Sequence, residues 1–134
     1  MISFEKDLRS LILSTPVAAL VSNRVVWMVR PQSSQIPSLV LTTVGEATPY
    51  VYGGVVNFYP TRVQFEIFST TYDIATQIWR ALEEGLSGFV GNLGDTKFHS
   101  ILFLGKSDDT EENAVAAQQL VRFLIEASCN WSEI

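Results

Sequence analysis

Residues 61–86 read TRVQFEIFSTTYDIATQIWRALEEGL, and two periodicities meet inside them. Arg62, Gln64 and Glu66 alternate with Val63, Phe65 and Ile67, the two-residue repeat of a strand with one buried face. Thr70 then stands three residues before Asp73, the T-x-x-D spacing of a helix-capping signal. Beyond it Ile74, Ile78 and Leu82 recur at helical spacing, flanked by Ala75, Ala81 and Leu86, which predicts an amphipathic helix. A strand running directly into such a helix builds the layered unit of a mixed fold. The expected class is α+β: a single domain over residues 1–134, with a mostly antiparallel or mixed sheet of about four to six strands. An N-terminal helix and a central helix over residues 71–86 are expected to pack on that sheet.

The flanks extend this pattern. Phe4, Leu8, Leu11 and Ile12 share one helical face, with Glu5 and Asp7 in the first turn, where the helix dipole favours negative charge. This predicts a helix over residues 4–13. Pro16 suits a first helical position and Thr15 can cap it, so residues 17–21 read as a short helix that Asn23 ends. RVVWMVR, residues 24–30, is apolar on both faces and reads as a strand stopped by Pro31. Residues 38–44 form the next strand, and residues 45–49 a turn or flexible hairpin tip. Residues 50–59 read as extended chain interrupted by a bulge or bend at Gly53 and Gly54. Gly85, Gly88, Gly91 and Gly94 punctuate a segment read as irregular up to Thr96, residues 98–104 read as a strand, and KSDDTEEN, residues 106–113, reads as an acidic loop. Residues 114–128 satisfy two patterns: the alanine-rich start favours helix, whereas Val121, Phe123 and Ile125 alternate with Leu120, Arg122, Leu124 and Glu126 as a strand would.

Composition excludes some functions and suggests others. Charged residues make up 17% of the chain, against about a quarter in an average soluble protein. A charge-poor surface is what subunit contacts require, which suggests an oligomer. Nine basic against fourteen acidic residues give a net charge of -5, the wrong sign for clamping nucleic-acid phosphates. Cys129 is the single cysteine, without His or Cys at metal-ligand spacing, so a reducing cytosol is expected and no metal or cofactor is. The first residues have charges inside their apolar pattern and no run approaches the ~18 apolar residues of a membrane span, so neither a leader peptide nor a membrane segment is expected.

Candidate chemistry is sparse. His99, the single histidine, lies in an expected strand without a nucleophile motif around it, and a structural role is the simpler reading. Cys129 has no basic neighbour or helix N-terminus to lower its pKa, so it reads as an inert thiol. Gly91 and Gly94 lie in a segment without the G-K-[ST] ending of a phosphate loop. Asp108, Asp109, Glu111 and Glu112 lack the spacing and central glycine of a calcium loop and read as a solvated, DNA-repelling rim. Trp79 follows Ile78 and points about 100 degrees off the Ile74, Ile78, Leu82 line. It is either core at the edge of that stripe or an anchor for an interface.

Several stretches together resemble the tail completion or tail terminator proteins of long-tailed phages, the tail-to-head joining family. They are FEKDLRSLIL, TPVAALVSNRVVW, the paired prolines of RPQSSQIPSLVL, RVQFEIFSTTYDIATQIWRALEEGL and the late LVRFLIEA. The likeness spans nearly the whole chain; residues 50–60 and the glycine-rich residues 85–97 depart from it. It implies an α+β subunit whose last counterpart, residues 120–127, is a strand. It further implies a non-enzymatic virion protein, made in the host cytoplasm, that sits at the head-tail junction as a ring, commonly a hexamer. Such a ring ends polymerisation of the tail tube, joins it to the head-tail connector or stopper protein, and lets DNA pass without specific binding. Under that reading either Asp108, Asp109, Glu111 and Glu112 or the tip holding Gly45 and Glu46 faces the channel or the tube. The rival expectation is a small-molecule binding or enzymatic α+β domain with a site near His99 and the loop between Gly91 and Gly94.

Overall fold

A computed structural model describes residues 3–27, 36–46, 50–51, 54–55, 57–108 and 121–133. Helix α1 spans Ser3–Leu13 and α2 Val17–Leu20; strands β1 Val25–Trp27, β2 Ser38–Glu46, β3 Tyr50–Val51, β4 Gly54–Val55 and β5 Tyr59–Ser69 follow. Then come α3 Tyr72–Leu86, β6 Gly91–Leu93, β7 Thr96–Asp108 and β8 Val121–Glu133. Six strands form one sheet in the order β1-β2-β5-β8-β7-β6, and β3 pairs with β4 as a separate two-stranded unit. The β1 and β2 strands run parallel, and every other pair is antiparallel. The α+β class expected from the sequence is the one found.

The sheet's buried face follows from two-residue alternation. Val63, Phe65 and Ile67 of β5 and Phe123, Ile125, Ala127 and Cys129 of β8 are at most 1% exposed and form one core with the helices. From α1 that core takes Phe4, Leu8, Leu11 and Ile12. From α3 it takes Ala75, Ile78, Trp79, Leu82 and Leu86, so Trp79 belongs to the helix stripe rather than lying off it. An arc with spacings of three and four residues is wider than the single line through Ile74, Ile78 and Leu82, and it includes position 79. Near one end of the sheet Phe4 stacks on Trp131 at 4.8 Å between ring centroids, and Tyr59 meets Trp131 at 4.6 Å. Trp131 Nε1 donates to Thr61 Oγ1 and Trp27 Nε1 to the Glu5 carbonyl, both at 2.9 Å, so these two indole donors are met.

Several sequence expectations are corrected. The helix cap is Thr71, not Thr70: its hydroxyl accepts from Ile74 N at 3.2 Å, the usual reach from cap to third helical residue. Gly45 and Glu46 are not a loop tip; they continue β2 and pair with Arg62 and Thr61 after a bulge at Val44, while residues 47–49 lie outside the described set. The extended stretch at residues 50–59 is reversed into β3 and β4, with Tyr50 opposite Val55. The segment read as irregular contains β6, which forms a hairpin with the start of β7. Lys106, Ser107 and Asp108 prolong β7 instead of opening a loop, because main-chain pairing with Ile125, Leu124 and Phe123 carries them whatever their polarity. Residues 121–128, which satisfied two patterns, are strand as the resemblance implied, since β8 gains partners on both sides and tertiary pairing outweighs propensity. Residues 28–30 and 114–120 fall outside the described set.

Tight local devices place the helices. Asn23 and Ser22 adopt left-handed backbone (φ 62 and 50) and the Asn23 N–H reaches back to the Ala18 carbonyl at 2.9 Å, closing α2. Asp7, buried on α1, accepts from Asp95 N at 3.1 Å and from Thr96 Oγ1 at 2.6 Å. It thereby ties α1 to the β6–β7 turn, where Gly94 has φ +60. Among the described residues no helix is long and apolar enough to cross a membrane.

Candidate assembly surface

The face of the sheet away from the helices carries Arg62, Gln64, Glu66 and Phe68 from β5 and Arg122, Leu124, Glu126, Ser128 and Asn130 from β8, none of them fully buried. Its charges neutralise one another across the strands. Arg62 pairs with Glu126. Arg122 Nε and Nη2 both donate to Glu66 Oε2, at 2.9 and 2.7 Å, and Gln64 Nε2 donates to Glu66 Oε1 at 3.2 Å. The Glu66 side chain is only 14% exposed, so this second pair is shielded from solvent screening and the first is not. Two arginines are thus matched to two glutamates across β5 and β8.

Beside these polar side chains the face exposes apolar ones. Leu102 and Leu104 of β7 are 50% and 56% exposed, and Leu124 of β8 is half-buried beside them. Leu104, Leu124, Gln64 and Lys106 border a shallow, open depression of about 290 Å³. The edge of β7 is also open. β6 covers only Thr96, Lys97 and Phe98, and the Gly88 N–H takes the Ile101 carbonyl at 2.8 Å. Residues 102–107 have no strand on that side among the described residues. An unpaired edge offers a row of main-chain donors and acceptors to another strand. Sequence reading named residues 98–104 only as a strand and did not single out Leu102 and Leu104, because their openness depends on how far β6 extends and not on their own pattern.

The residues singled out from sequence do not form one cluster. Gly45 and Glu46 are exposed at the end of β2, and Asp108 is exposed at the end of β7. Glu46 shares a row with Thr61, Cys129 and Ile101, whereas Asp108 shares one with Phe123, Ile67 and Leu39. The two rows are six residues apart along β5, about 20 Å at strand rise, so Glu46 and Asp108 belong to opposite ends of the sheet. Asp109, Glu111 and Glu112 lie outside the described residues. Trp79 is 7% exposed and meets Phe103 edge-on at 5.1 Å, so its ring is spent on the core.

The residues of the rival expectation are engaged as well. His99 Nε2 lies 2.9 Å from Ser132 Oγ, and Phe58 meets the imidazole edge-on at 5.3 Å. Ser132 is itself 6% exposed, which keeps that hydroxyl from a substrate. Gly91 belongs to β6 and Gly94 to the turn held by Asp7, so the expected loop is a closed hairpin. Burial pushes the Cys129 thiol from 9.0 up to about 12, far from the thiolate that chemistry needs. Among the described residues no group of His, Cys, Asp and Glu could hold a metal ion.

The fold has a counterpart in a virion. A chain in the virion of a native gene transfer agent particle is similar to it over the full length of both chains, with a TM-score of 0.66. The two are 15% identical in sequence, so what they share is the fold. No protein-family model matches the chain, and no curated protein matches it in sequence.

Proposed function

We propose that this chain is a structural virion protein of the tail terminator type, a ring subunit that caps the tail tube, ends its polymerisation and joins it to the head connector. The observation that carries the proposal is the likeness, complete over both chains, to a chain of a gene transfer agent virion. It agrees with the independent sequence resemblance to tail-to-head joining proteins. The surface suits the role physically. A closed ring needs two different lateral patches per subunit, and the chain combines 17% charged residues with an open strand edge bearing Leu102 and Leu104. A net charge of -5 and the pairing of Arg62 and Arg122 with glutamates disfavour holding passing DNA by its phosphates.

Because Glu46 and Asp108 lie at opposite ends of the sheet, only one of those ends faces the channel or tube in this arrangement. The deciding experiment is electron microscopy of particles made without the protein. Tails of uncontrolled length, or finished tails detached from heads, are the expected defect; normal joined particles would remove the proposal. Replacing Asp108, Asp109, Glu111 and Glu112 by lysine is expected to impair tail joining or DNA passage while leaving the melting temperature unchanged. Full infectivity of that variant would move the channel-facing role away from this segment.

A further inference from the structure

Helix α1 touches both borders of the sheet at once. Arg9 Nε donates to the Val25 carbonyl at 2.8 Å and the Glu5 carbonyl accepts from Trp27 Nε1 at 2.9 Å, both on β1. From the same stretch of helix, the buried Asp7 carboxylate accepts from Asp95 N and Thr96 Oγ1, at the turn between β6 and β7. Phe4 repeats the convergence: its ring lies 6.5 Å from Trp27 of β1, 6.1 Å from Phe98 of β7 and 4.8 Å from Trp131 of β8, centroid to centroid. Yet β1 and β6 are the first and last strands of the order β1-β2-β5-β8-β7-β6. A flat sheet would hold β1 about 19 Å from β7 and about 24 Å from β6, whereas Glu5 to Arg9 cover about 6 Å of helix rise. The sheet is therefore curled towards α1, which stands in the gap between its borders, where a barrel would have closed strand on strand.

We infer that α1 is a tie that sets the curl of the sheet and, through it, the angle at which neighbouring copies meet; the second half rests on the ring reading above. No ladder joins β1 to β6 or β7 among the described residues, so α1 is what spans the gap. Asp7 and Arg9 are two residues apart on one helix, so a movement of either border is passed to the other. The Asp7 bonds are charge-assisted and, with Asp7 only 6% exposed, shielded from water. A head-to-tail contact repeats one rotation from copy to copy, and it makes a ring only when that rotation closes. Patches carried on different strands of one sheet, the exposed Leu102 and Leu104 of β7 among them, change their mutual angle when the curl changes. A subunit with α1 loosened keeps the pairing of β5, β7 and β8 but presents the wrong rotation.

The test uses the full chain with nitroxide labels at Val26→Cys on β1 and Asn92→Cys on β6, and reads the distance between them by double electron–electron resonance. Cys129 is fully buried and stays unlabelled. In this background Asp7→Ala cuts the tie at the β6–β7 turn and Arg9→Ala cuts it at β1. Thr71→Ala, which weakens the α3 cap, is the control for lost stability alone, and near-ultraviolet circular dichroism verifies that each variant is folded. The parent and the control are expected to give one narrow distance, and each α1 variant a distribution lengthened by about 5 Å, one strand spacing. An unchanged distance in a folded α1 variant overturns the tie; should one variant fail to fold, the other decides. The second half is read in particles complemented with unlabelled Asp7→Ala or Arg9→Ala, which are expected to show the unjoined or overlong tails of particles lacking the protein. Normal particles from a variant with a lengthened distance would mean that assembly does not read the curl, while a tail defect on deletion would leave the ring reading standing.

Discussion

Gly94→Ala should be among the most damaging single-methyl additions in this chain, and the reason can be separated into two parts. Gly94 has φ +60, so any L side chain there incurs a left-handed backbone cost of roughly 1–2 kcal/mol. A Cβ at this position would also overlap Asp7 Oδ1 and come within 2.7 Å of Asp7 Cγ. The carboxylate would have to move, loosening its hydrogen bonds to Asp95 N and Thr96 Oγ1, and bonds to a charged group contribute about 1.5–3 kcal/mol each. The sum, with partial relaxation, is about 3–5 kcal/mol. Gly88 is the internal control: its φ is +74 but nothing lies within 4 Å of an added Cβ, so Gly88→Ala should cost only the backbone share, about 1–2 kcal/mol. Urea unfolding followed by tryptophan fluorescence measures both, and the same pair in an Asp7→Ala background completes a double-mutant cycle. There the Gly94→Ala increment should shrink to the Gly88 value. If Gly94→Ala and Gly88→Ala cost the same in the wild-type background, Asp7 does not clamp the turn.

Phe65 is fully buried and faces Phe103 at 5.8 Å, so Phe65→Ala should cost about 3–5 kcal/mol and abolish folding and assembly together; a soluble variant with an unchanged urea midpoint would show the core to be misplaced. Thr71→Ala should lose about 1 kcal/mol of helix-cap stabilisation, whereas Thr70→Ala should lose almost none, and the reverse order in melting temperature would return the cap to Thr70. Cys129 holds its proton up to about 12 in the fold against 9.0 as its ordinary value, so its contribution is complete below pH 9 and is lost as pH rises from there towards 12. The slope is at most about 1.4 kcal/mol per pH unit, to be read as the difference between wild type and Cys129→Ala; equal pH profiles would mean that the thiol is not buried as described.

The fold was legible wherever one face of an element is buried and the other is not. Val63, Phe65 and Ile67 announce β5, and the apolar series from Ala75 to Leu86 announces α3, because each pattern is long enough for its period to be unique. Adjacent threonines blurred the cap, since Thr70 and Thr71 are chemically equal and only the Ile74 N–H distinguishes them. β6 was lost among glycines: three residues are too few to show an alternation. Lys106 to Asp108 misled in the opposite direction, as their polarity suggests a loop while β8 supplies the pairing. The candidate surface was less accessible. Glu66 finds Arg122 across 56 residues of sequence, a partnership set by strand register, and no local pattern encodes register between distant strands. Strand openness is equally invisible, because it depends on how far a neighbour extends and not on the strand's own residues.

The placement of β8 has a consequence for synthesis. The strand latest in the sequence, Val121–Glu133, lies between β5 and β7 and pairs with eleven residues of each. A chain growing from its N-terminus therefore holds β5 and β7 without their shared neighbour until residues 121–133 have emerged, and long-range pairings of this kind are slow to form. The six-stranded sheet is thus incomplete until the last strand has emerged. A chain stopped at residue 120 should show no cooperative unfolding transition, so an interrupted product has no finished sheet to present to any partner.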